Sequence, residues 1–372
     1  MLPRELVPEK EVRTERLSEA RSLLETDFRV TRVPTSLEKI DIAETGTVSV
    51  EGEQFPCTQL FLESLSHRIE MPLEYAHRID FELFKHNFDR RKQETCSGVV
   101  VRVSRGAAIN LCRERHYPAR TLDVVETLPE KIRRWTFHEA VVSDRGVDLS
   151  WLDESVRLDP RPGDTVVGGL RVSNSETGFR QLTAAVFALR LVCTNGAVVP
   201  TTRRVVRWSD DPRVTYAASV RKFVEELNLL EPPREELARS YAAVVDRFLV
   251  DREVVALWRR VSRVVGPDEA DRTLGVVRQE RRLLFAQVRG RHGPQPDMWT
   301  ELAAYDVHNR VTAWARGQGL LRRRRLEEIG GEMLRSFSVN GPGAPTSLET
   351  LEEGGRDAGR AAGQPGIALG RG

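Results

Sequence analysis

The stretch 165-TVVGGLRVSNSETGFRQLTAAVFALRLVCTNGAVVPTTRRVV-206 carries the strongest β-strand pattern of the chain. Apolar residues alternate here with polar ones, which is typical of half-buried strands. Turn residues interrupt the alternation twice, and Asn-Gly is the strongest short hairpin signal. The predicted parts are a strand at 165–174, a turn at 175–178, a strand at 181–193, a turn at 194–196 and a returning strand at 197–206. Together they predict a three-stranded antiparallel meander.

The flanking sequence alternates between short helical and short strand patterns. Arg105–Gly106 fits a tight hairpin turn between two of the strands. After Pro212 the pattern becomes helical, with apolar residues at helical spacing. Helices are predicted at 57–69, 73–84, 121–130, 214–230, 234–264, 267–288, 297–317 and 321–337, where 234–264 is either one long helix or a bent pair. Strands are predicted at 98–104, 107–112, 137–142 and 147–149. This order predicts an α+β fold, an antiparallel sheet with flanking helices followed by a helical C-terminal region.

The same patterns divide the chain into four parts. Residues 1–50 are predicted as an N-terminal appendage, 51–210 as an α+β core domain and 211–337 as a helical region. The last 32 residues contain nine glycines and no aromatic residue. Such a composition cannot form a packed core, so 338–372 are predicted as a disordered glycine-rich tail.

The composition excludes several classes of protein. A chain of 372 residues can bury a core without disulfides or metals. No apolar run is long enough to span a membrane, and the first 25 residues are too polar for a secretory signal. The four cysteines form no CxxC pair, and the seven histidines show no metal-ligand spacing. We therefore expect a cytoplasmic protein without membrane contact, metal or cofactor.

The positive charge is unevenly distributed, although the net charge is only +2. Lysine accounts for 6 of the 57 basic residues, so 51 are arginines. Codon usage in a GC-rich genome would explain this excess, but it would act along the whole chain. Residues 1–55 carry a net charge of −4, whereas 272–325 carry +8. This contrast indicates a basic C-terminal helical face that attracts polyanions. Its predicted phosphate contacts are Arg278, Arg281, Arg282, Arg289, Arg322, Arg323, Arg324 and Arg325.

Sequence motifs of several common enzyme classes are absent. The chain contains no GxxxxGK[ST], no GxGxxG after a strand, no HExxH and no GxSxG. These absences argue against common ATPases, dehydrogenases, zincins and α/β-hydrolases.

Two turns carry the candidate site residues. The turn at 173–178 places five polar side chains together. They either form Asx and Ser/Thr turns with the backbone or contact a ligand. Glu176 is the candidate general acid or base, with Cys193 or His116 assisting. The alternative for Cys193 is a buried structural thiol. The polar segment 86–91 is a further candidate cluster.

The segment 171-RVSNSETGFRQLTAAVFALRLVCTNGAVV-199 resembles the N-S-E-x-G … R-x-x-C-T-N-G motif of domain of unknown function 932, a phage- and plasmid-borne family. The segments MPLEYAHRIDFELFKHNFDRR, INLCRERHYPARTLDVVETL and WTELAAYDVHNRVTAWARGQ are also similar, so the resemblance covers roughly 50–336. Asn110–Cys112 departs from the family's small-hydrophobic-serine run. The resemblance implies a mobile-element origin and no established reaction. The matching positions are Asn174, Ser175, Glu176, Gly178, Arg190, Cys193, Thr194, Asn195 and Gly196.

Three functions are compatible with these observations. The leading hypothesis is a mobile-element protein that binds nucleic acid, single-stranded DNA in particular, in replication, recombination or host-defence interplay. The second is an enzyme that acts on nucleic acid or a nucleotide at the 173–178 and 193–196 turns. The third is an assembly protein whose helices at 214–337 form a homo-oligomer interface.

Overall fold

The computed structural model describes most of the chain. The described residues are 6–76, 78–94, 98–114, 119–132, 135–191, 195–197, 206–207, 218, 222–223, 225–227, 234–275 and 302–339. The fold is α+β, as predicted.

Helices and strands alternate in the first half of the described chain, and helices dominate the second. The helices are α1 (Leu17–Glu25), α2 (Gln59–Arg68), α3 (Leu73–Ala76), α4 (Phe81–Glu94), α5 (Thr121–Lys131), α6 (Arg234–Val245), α7 (Asp251–Val265), α8 (Pro267–Leu274), α9 (Ala304–Arg316) and α10 (Leu320–Val339). The strands are β1 (Glu11–Thr14), β2 (Val30–Ser36), β3 (Ile40–Ile42), β4 (Thr47–Val50), β5 (Glu53–Pro56), β6 (Gly98–Ser104), β7 (Ala107–Arg113), β8 (Thr136–Ser143), β9 (Gly146–Arg161), β10 (Asp164–Asn174), β11 (Thr183–Arg190), β12 (Asn195–Ala197) and β13 (Val206–Arg207).

The described strands form three sheets. The largest has the order β1-β8-β9-β10-β11-β12, with β13 also paired to β11. The second has the order β2-β6-β7 and the third β3-β4-β5. The neighbours β10, β11 and β12 form the predicted meander. Asn195 pairs with Arg190 and Gly196 with Leu189, so Asn195 and Gly196 belong to a strand and not to the predicted turn.

The chain forms two compact units. Unit 1 contains residues 1–153, 169–185 and 203–231, and unit 2 contains 154–168, 186–202 and 232–372. In unit 1, the apolar faces of α2, α4, β6 and β7 share a core that includes Phe61, Phe88 and Val101. In unit 2, α6–α10 pack around Tyr241, Tyr305 and the strand residues Val156, Val166 and Ala188.

The two units differ from the predicted domain boundaries. Residues 1–50 do not stand apart, because β1 pairs with β8 and β2 pairs with β6. The predicted helix at 214–230 lies largely outside the described residues. So do the continuation of the helix predicted at 267–288 and nearly all of the predicted tail.

Two element predictions differ from the structure for identifiable reasons. The helix predicted at 73–84 is two helices, because Asp80 caps α4 by accepting a hydrogen bond from Leu83 N at 2.7 Å. The weak strand predicted at 147–149 is the long β9. Its polar residues are buried and paired, as in the contact of 3.6 Å between Asp148 and Arg180, so the expected alternation is hidden.

Gly146 lies at a close approach between two segments of unit 1. Its φ is +137°, and a Cβ there would lie 2.3 Å from Asn174 O. Gly106 also has a positive φ, +69°, but a Cβ there would meet nothing within 4 Å.

We expect Gly146→Ala to destabilise unit 1 by about 3 kcal/mol or more, since strain and a backbone clash add. Gly106→Ala should cost only about 1 kcal/mol, from the φ value alone. Urea unfolding followed by circular dichroism measures both. Equal losses of unfolding free energy in the two variants would contradict the close approach of Gly146 to Asn174.

Candidate functional site

The predicted 173–178 turn is buried in unit 1 and bonded to its surroundings. Thr177 Oγ1 donates to Asp144 O at 2.9 Å and lies 3.0 Å from Ser175 Oγ. Because Thr177 has a single hydroxyl proton, Ser175 is the donor between the two hydroxyls. Ser175 Oγ also accepts from Phe179 N at 3.0 Å. These side chains therefore build the turn itself, as expected if they bond to the backbone.

Asn174 and Glu176 hold the beginning of α5. Asn174 Nδ2 donates to Ala119 O at 2.7 Å and to Thr121 Oγ1 at 3.0 Å. A carboxylate oxygen of Glu176 accepts from Thr121 N. An acidic group at a helix N-terminus satisfies an open N–H group and interacts favourably with the helix dipole. Burial raises the pKa of Glu176, and the bond from Thr121 N opposes this rise.

The residues predicted to assist Glu176 in catalysis, Cys193 and His116, lie outside the described residues, and so does the motif residue Thr194. The described cysteines Cys57 and Cys112 are both buried. Burial raises the pKa of the Cys57 thiol to about 12.

The motif arginine Arg190 belongs to a largely buried cluster in unit 2. Its Nε donates to one carboxylate oxygen of Asp164, and the hydroxyl of Tyr305 donates to the other. The guanidinium of Arg161 lies 4.5 Å from the centre of the Tyr305 ring. Both Asp164 oxygens are thus engaged inside the protein. The cluster ties the beginning of β10 to the end of β11 and to α9.

His308 lies beside this cluster on α9. It is buried, and its ring stands edge-on to Tyr241 with 5.9 Å between ring centres. Burial lowers the pKa of His308 to about 4, so the imidazole is neutral at physiological pH. This histidine therefore packs as part of the unit 2 core.

An open cleft of about 590 Å³ lies next to the buried turn in unit 1. Four segments line it: the second half of α2, the end of β7, the β8–β9 turn, and the end of the buried turn with the residue that follows it. Ser64 Oγ accepts from Leu111 N at 2.9 Å, which fixes α2 against β7. The polar and aromatic lining residues are Glu63, Ser64, His67, Arg68, Asn110, Cys112, Arg113, Arg145 and Phe179. We call this space the basic cleft.

Arg68 and Arg113 give the basic cleft its charge. Arg68 is half-buried, and its Nε is buried without a hydrogen-bond partner. Within the described part of the chain, no carboxylate pairs with either guanidinium. Burial lowers the pKa of Arg68, and the like charge of Arg113 lowers it further. Two neighbouring cations without a counter-ion form a favourable site for an anion.

Arg145 and Phe179 form another side of the basic cleft. Arg145 is held by Glu9 through two bonds of 2.8 and 2.9 Å. Its guanidinium lies 5.8 Å from the centre of the half-buried Phe179 ring. The cleft thus combines an aromatic ring with arginines.

The floor of the basic cleft is joined to the turn. Asn110 Nδ2 donates to Thr177 O at 2.6 Å, and Cys112 Sγ lies 3.6 Å from the same oxygen. Burial raises the pKa of the Cys112 thiol, although nearby Arg102 lowers it in part. The thiol is therefore protonated at neutral pH. Its role in the cleft is that of a small packing group.

A model of the family described as Domain of unknown function (DUF932) matches residues 122–335, which is more than half of the chain. The chain belongs to this family. No curated protein and no solved structure matches it. The matched DUF932 residues include the turn, the Asp164 cluster, α6–α9 and most of α10. Arg68 and Arg113 precede the match, whereas Arg145 and Phe179 lie inside it.

The arginines predicted to hold phosphates occupy different environments in this DUF932 protein. Arg278, Arg281, Arg282 and Arg289 lie outside the described residues. On α10, Arg322 and Arg325 are exposed and Arg324 is half-buried. Arg323 is buried, and its Nε donates to Glu327 at 3.0 Å. The run of four arginines therefore does not present a single basic face.

The described part of this DUF932 chain holds no helix that could cross a membrane. Within the same residues, no group of three or more His, Cys, Asp or Glu side chains could hold a metal ion.

Arg68, Arg113 and Phe179 were not predicted as site residues. They come from segments far apart in sequence, and only the fold brings them together.

The raised pKa of Glu176 predicts a pH effect on stability. When the pKa of an acid is higher in the folded state, the folded state binds more protons between the two pKa values. Stability from this group therefore increases as pH falls from neutral toward the ordinary glutamate pKa. We expect the melting temperature of the wild type to rise relative to Glu176→Gln over that range. A constant difference between the two melting curves would contradict the assignment.

Asp164→Asn should destabilise unit 2 by about 3 kcal/mol, because it removes the charged carboxylate beside the half-buried Arg190. Tyr305→Phe removes the hydroxyl that donates to the same carboxylate and should cost about 1 kcal/mol. Thermal unfolding followed by circular dichroism compares the two. A cost for Asp164→Asn no larger than that for Tyr305→Phe would show that the ion pair contributes little.

Proposed function

We propose that this protein binds single-stranded nucleic acid, single-stranded DNA in particular, through the basic cleft of unit 1. The observation that supports the proposal is the pair Arg68 and Arg113, two guanidiniums without a carboxylate partner among the described residues, at the side of an open cleft. The phosphate of a nucleic acid would supply the missing counter-ion. Planar guanidinium groups match phosphate oxygens in geometry as well as in charge.

The size and lining of the cleft favour a nucleotide as the bound unit. A volume of about 590 Å³ lies within the usual range for small-molecule sites, which is about 300–1,000 Å³. Phe179 offers a ring on which a base can stack, and Arg145 lies beside it. An aromatic surface combined with arginines is the usual recognition mode for single strands. A duplex would keep its bases stacked inside and away from Phe179.

We propose the exposed α10 arginines of unit 2, Arg322 and Arg325, as separate phosphate contacts. A part in replication, recombination or host-defence interplay of a mobile element is the biological setting that we propose for this binding. Catalysis at the turns and assembly through the C-terminal helices remain alternative proposals.

Fluorescence anisotropy with labelled single-stranded DNA at several salt concentrations tests the proposal. We expect each of Arg68→Gln and Arg113→Gln to weaken binding by about tenfold, because each removes a charge-assisted hydrogen bond to phosphate. The slope of log affinity against log salt should fall in magnitude by about 0.7 for each phosphate that is no longer neutralised.

A matched double variant, Arg16→Gln with Arg21→Gln, controls for net charge. Both residues are exposed at or near α1, outside the cleft, and pair with nearby glutamates. This control should bind almost as the wild type does. A second double variant, Arg322→Gln with Arg325→Gln, measures how much the α10 arginines contribute to the affinity for single-stranded DNA. Equal weakening in the cleft variants and the α1 control would refute a localised site, and no binding by the wild type at low salt would refute the function.

A further inference from the structure

A second cleft, of about 360 Å³, lies beyond the C-terminal end of α2 in unit 1. Glu70 and Pro72 line it from the loop after α2, and Tyr75 lines it from α3. Asn87, Arg90 and Arg91 line it from α4. These three residues are spaced i, i+3 and i+4, so they share one face of the helix. The polar segment at 86–91 thus contributes to a defined surface.

Tyr75 is the main feature of this second cleft. It is 43% exposed, although a ring of this size is usually buried in a core. Asn87 Nδ2 donates to the Tyr75 hydroxyl at 3.2 Å, which restrains the ring. Because that hydroxyl oxygen accepts from Asn87, its own proton is available for an acceptor on a ligand. The ring face and the hydroxyl are both presented to the cleft.

We propose that the second cleft is a base-stacking subsite for the strand that occupies the basic cleft, so the inference rests on the proposed function. Tyr75 would stack on a base, and Arg90 and Arg91 would contact the adjoining phosphates. The lining thus contains two arginines and one carboxylate, that of Glu70. The combination of an exposed aromatic ring and arginines is that of a single-strand platform.

The linings of the two clefts come close together at the end of α2. Arg68 lines the basic cleft and Glu70 lines the second, and they are two residues apart. Two residues of chain span at most about 7 Å. A strand that leaves the basic cleft around the end of α2 would therefore reach Tyr75 with its next nucleotides.

The test measures anisotropy of labelled thymidine oligonucleotides of two lengths, a dinucleotide and a hexanucleotide. We expect the wild type to bind the hexanucleotide more tightly. Tyr75→Ala should weaken hexanucleotide binding by about tenfold, the usual effect of removing one stacked base, and leave dinucleotide binding unchanged. Tyr75→Phe keeps the ring and should retain most of the affinity. Arg90→Gln with Arg91→Gln should likewise weaken binding of the hexanucleotide alone.

Each other outcome is decisive. If Tyr75→Ala binds the hexanucleotide as the wild type does, the second cleft is not a subsite, although the basic cleft still binds. If both lengths weaken equally, the weakening is a general structural effect and the subsite is refuted. If the wild type binds neither length, the proposed function fails as well. A melting curve checks that Tyr75→Ala is folded, and the double arginine variant decides the question if it is not.

Discussion

The fold of unit 1 depends on hydrogen bonding at the buried turn that follows β10. Buried polar groups must find partners inside the protein, and here one turn supplies them to three separate segments. Thr177 O accepts from Asn110 on β7, Thr177 Oγ1 donates to Asp144 between β8 and β9, and Asn174 holds Ala119 before α5. The floor of the basic cleft, the first turn of α5 and the β8–β9 turn are thereby fixed by the same few residues. Two of these contacts use turn side chains, so apolar residues at 174 and 177 would leave Ala119 O and Asp144 O without these donors. The contact with Asn110 uses the backbone carbonyl of Thr177, which any residue would supply.

The predictable parts of the structure are those that local chemistry determines. The hairpin at Arg105–Gly106 and the helices α2 and α5 follow from spacing and turn residues. Asp80 is a residue type typical of helix N-caps, and this feature of the sequence indicates a break in the helix predicted at 73–84. The length of β9 was hidden because its buried polar residues pair with arginines from other segments. The basic cleft could not be predicted, because its arginines approach each other only after α2 packs on β7.

Arginines occupy two different environments in this protein, and the number of arginines does not distinguish them. Arg190 is half-buried and Arg323 is buried, each beside a carboxylate, where a guanidinium stabilises the fold only while its counter-ion remains. Arg68 has no such carboxylate among the described residues, although it is half-buried. Codon usage explains how many arginines a chain carries. It does not explain why some of them are left without an internal anion at the side of an open cleft.

The like charges of Arg68 and Arg113 affect the free energy with which a charged ligand would bind. Burial lowers the pKa of Arg68 most, because a half-buried charge has given up part of its hydration. The like charge of Arg113 lowers this pKa further. An anion that enters the cleft offsets the repulsion between the two cations, so its binding free energy includes the relief of a repulsion already present in the free protein. On the proposed function, a site of this kind selects ligands by charge first, and stacking on Phe179 adds a preference for anions that carry bases.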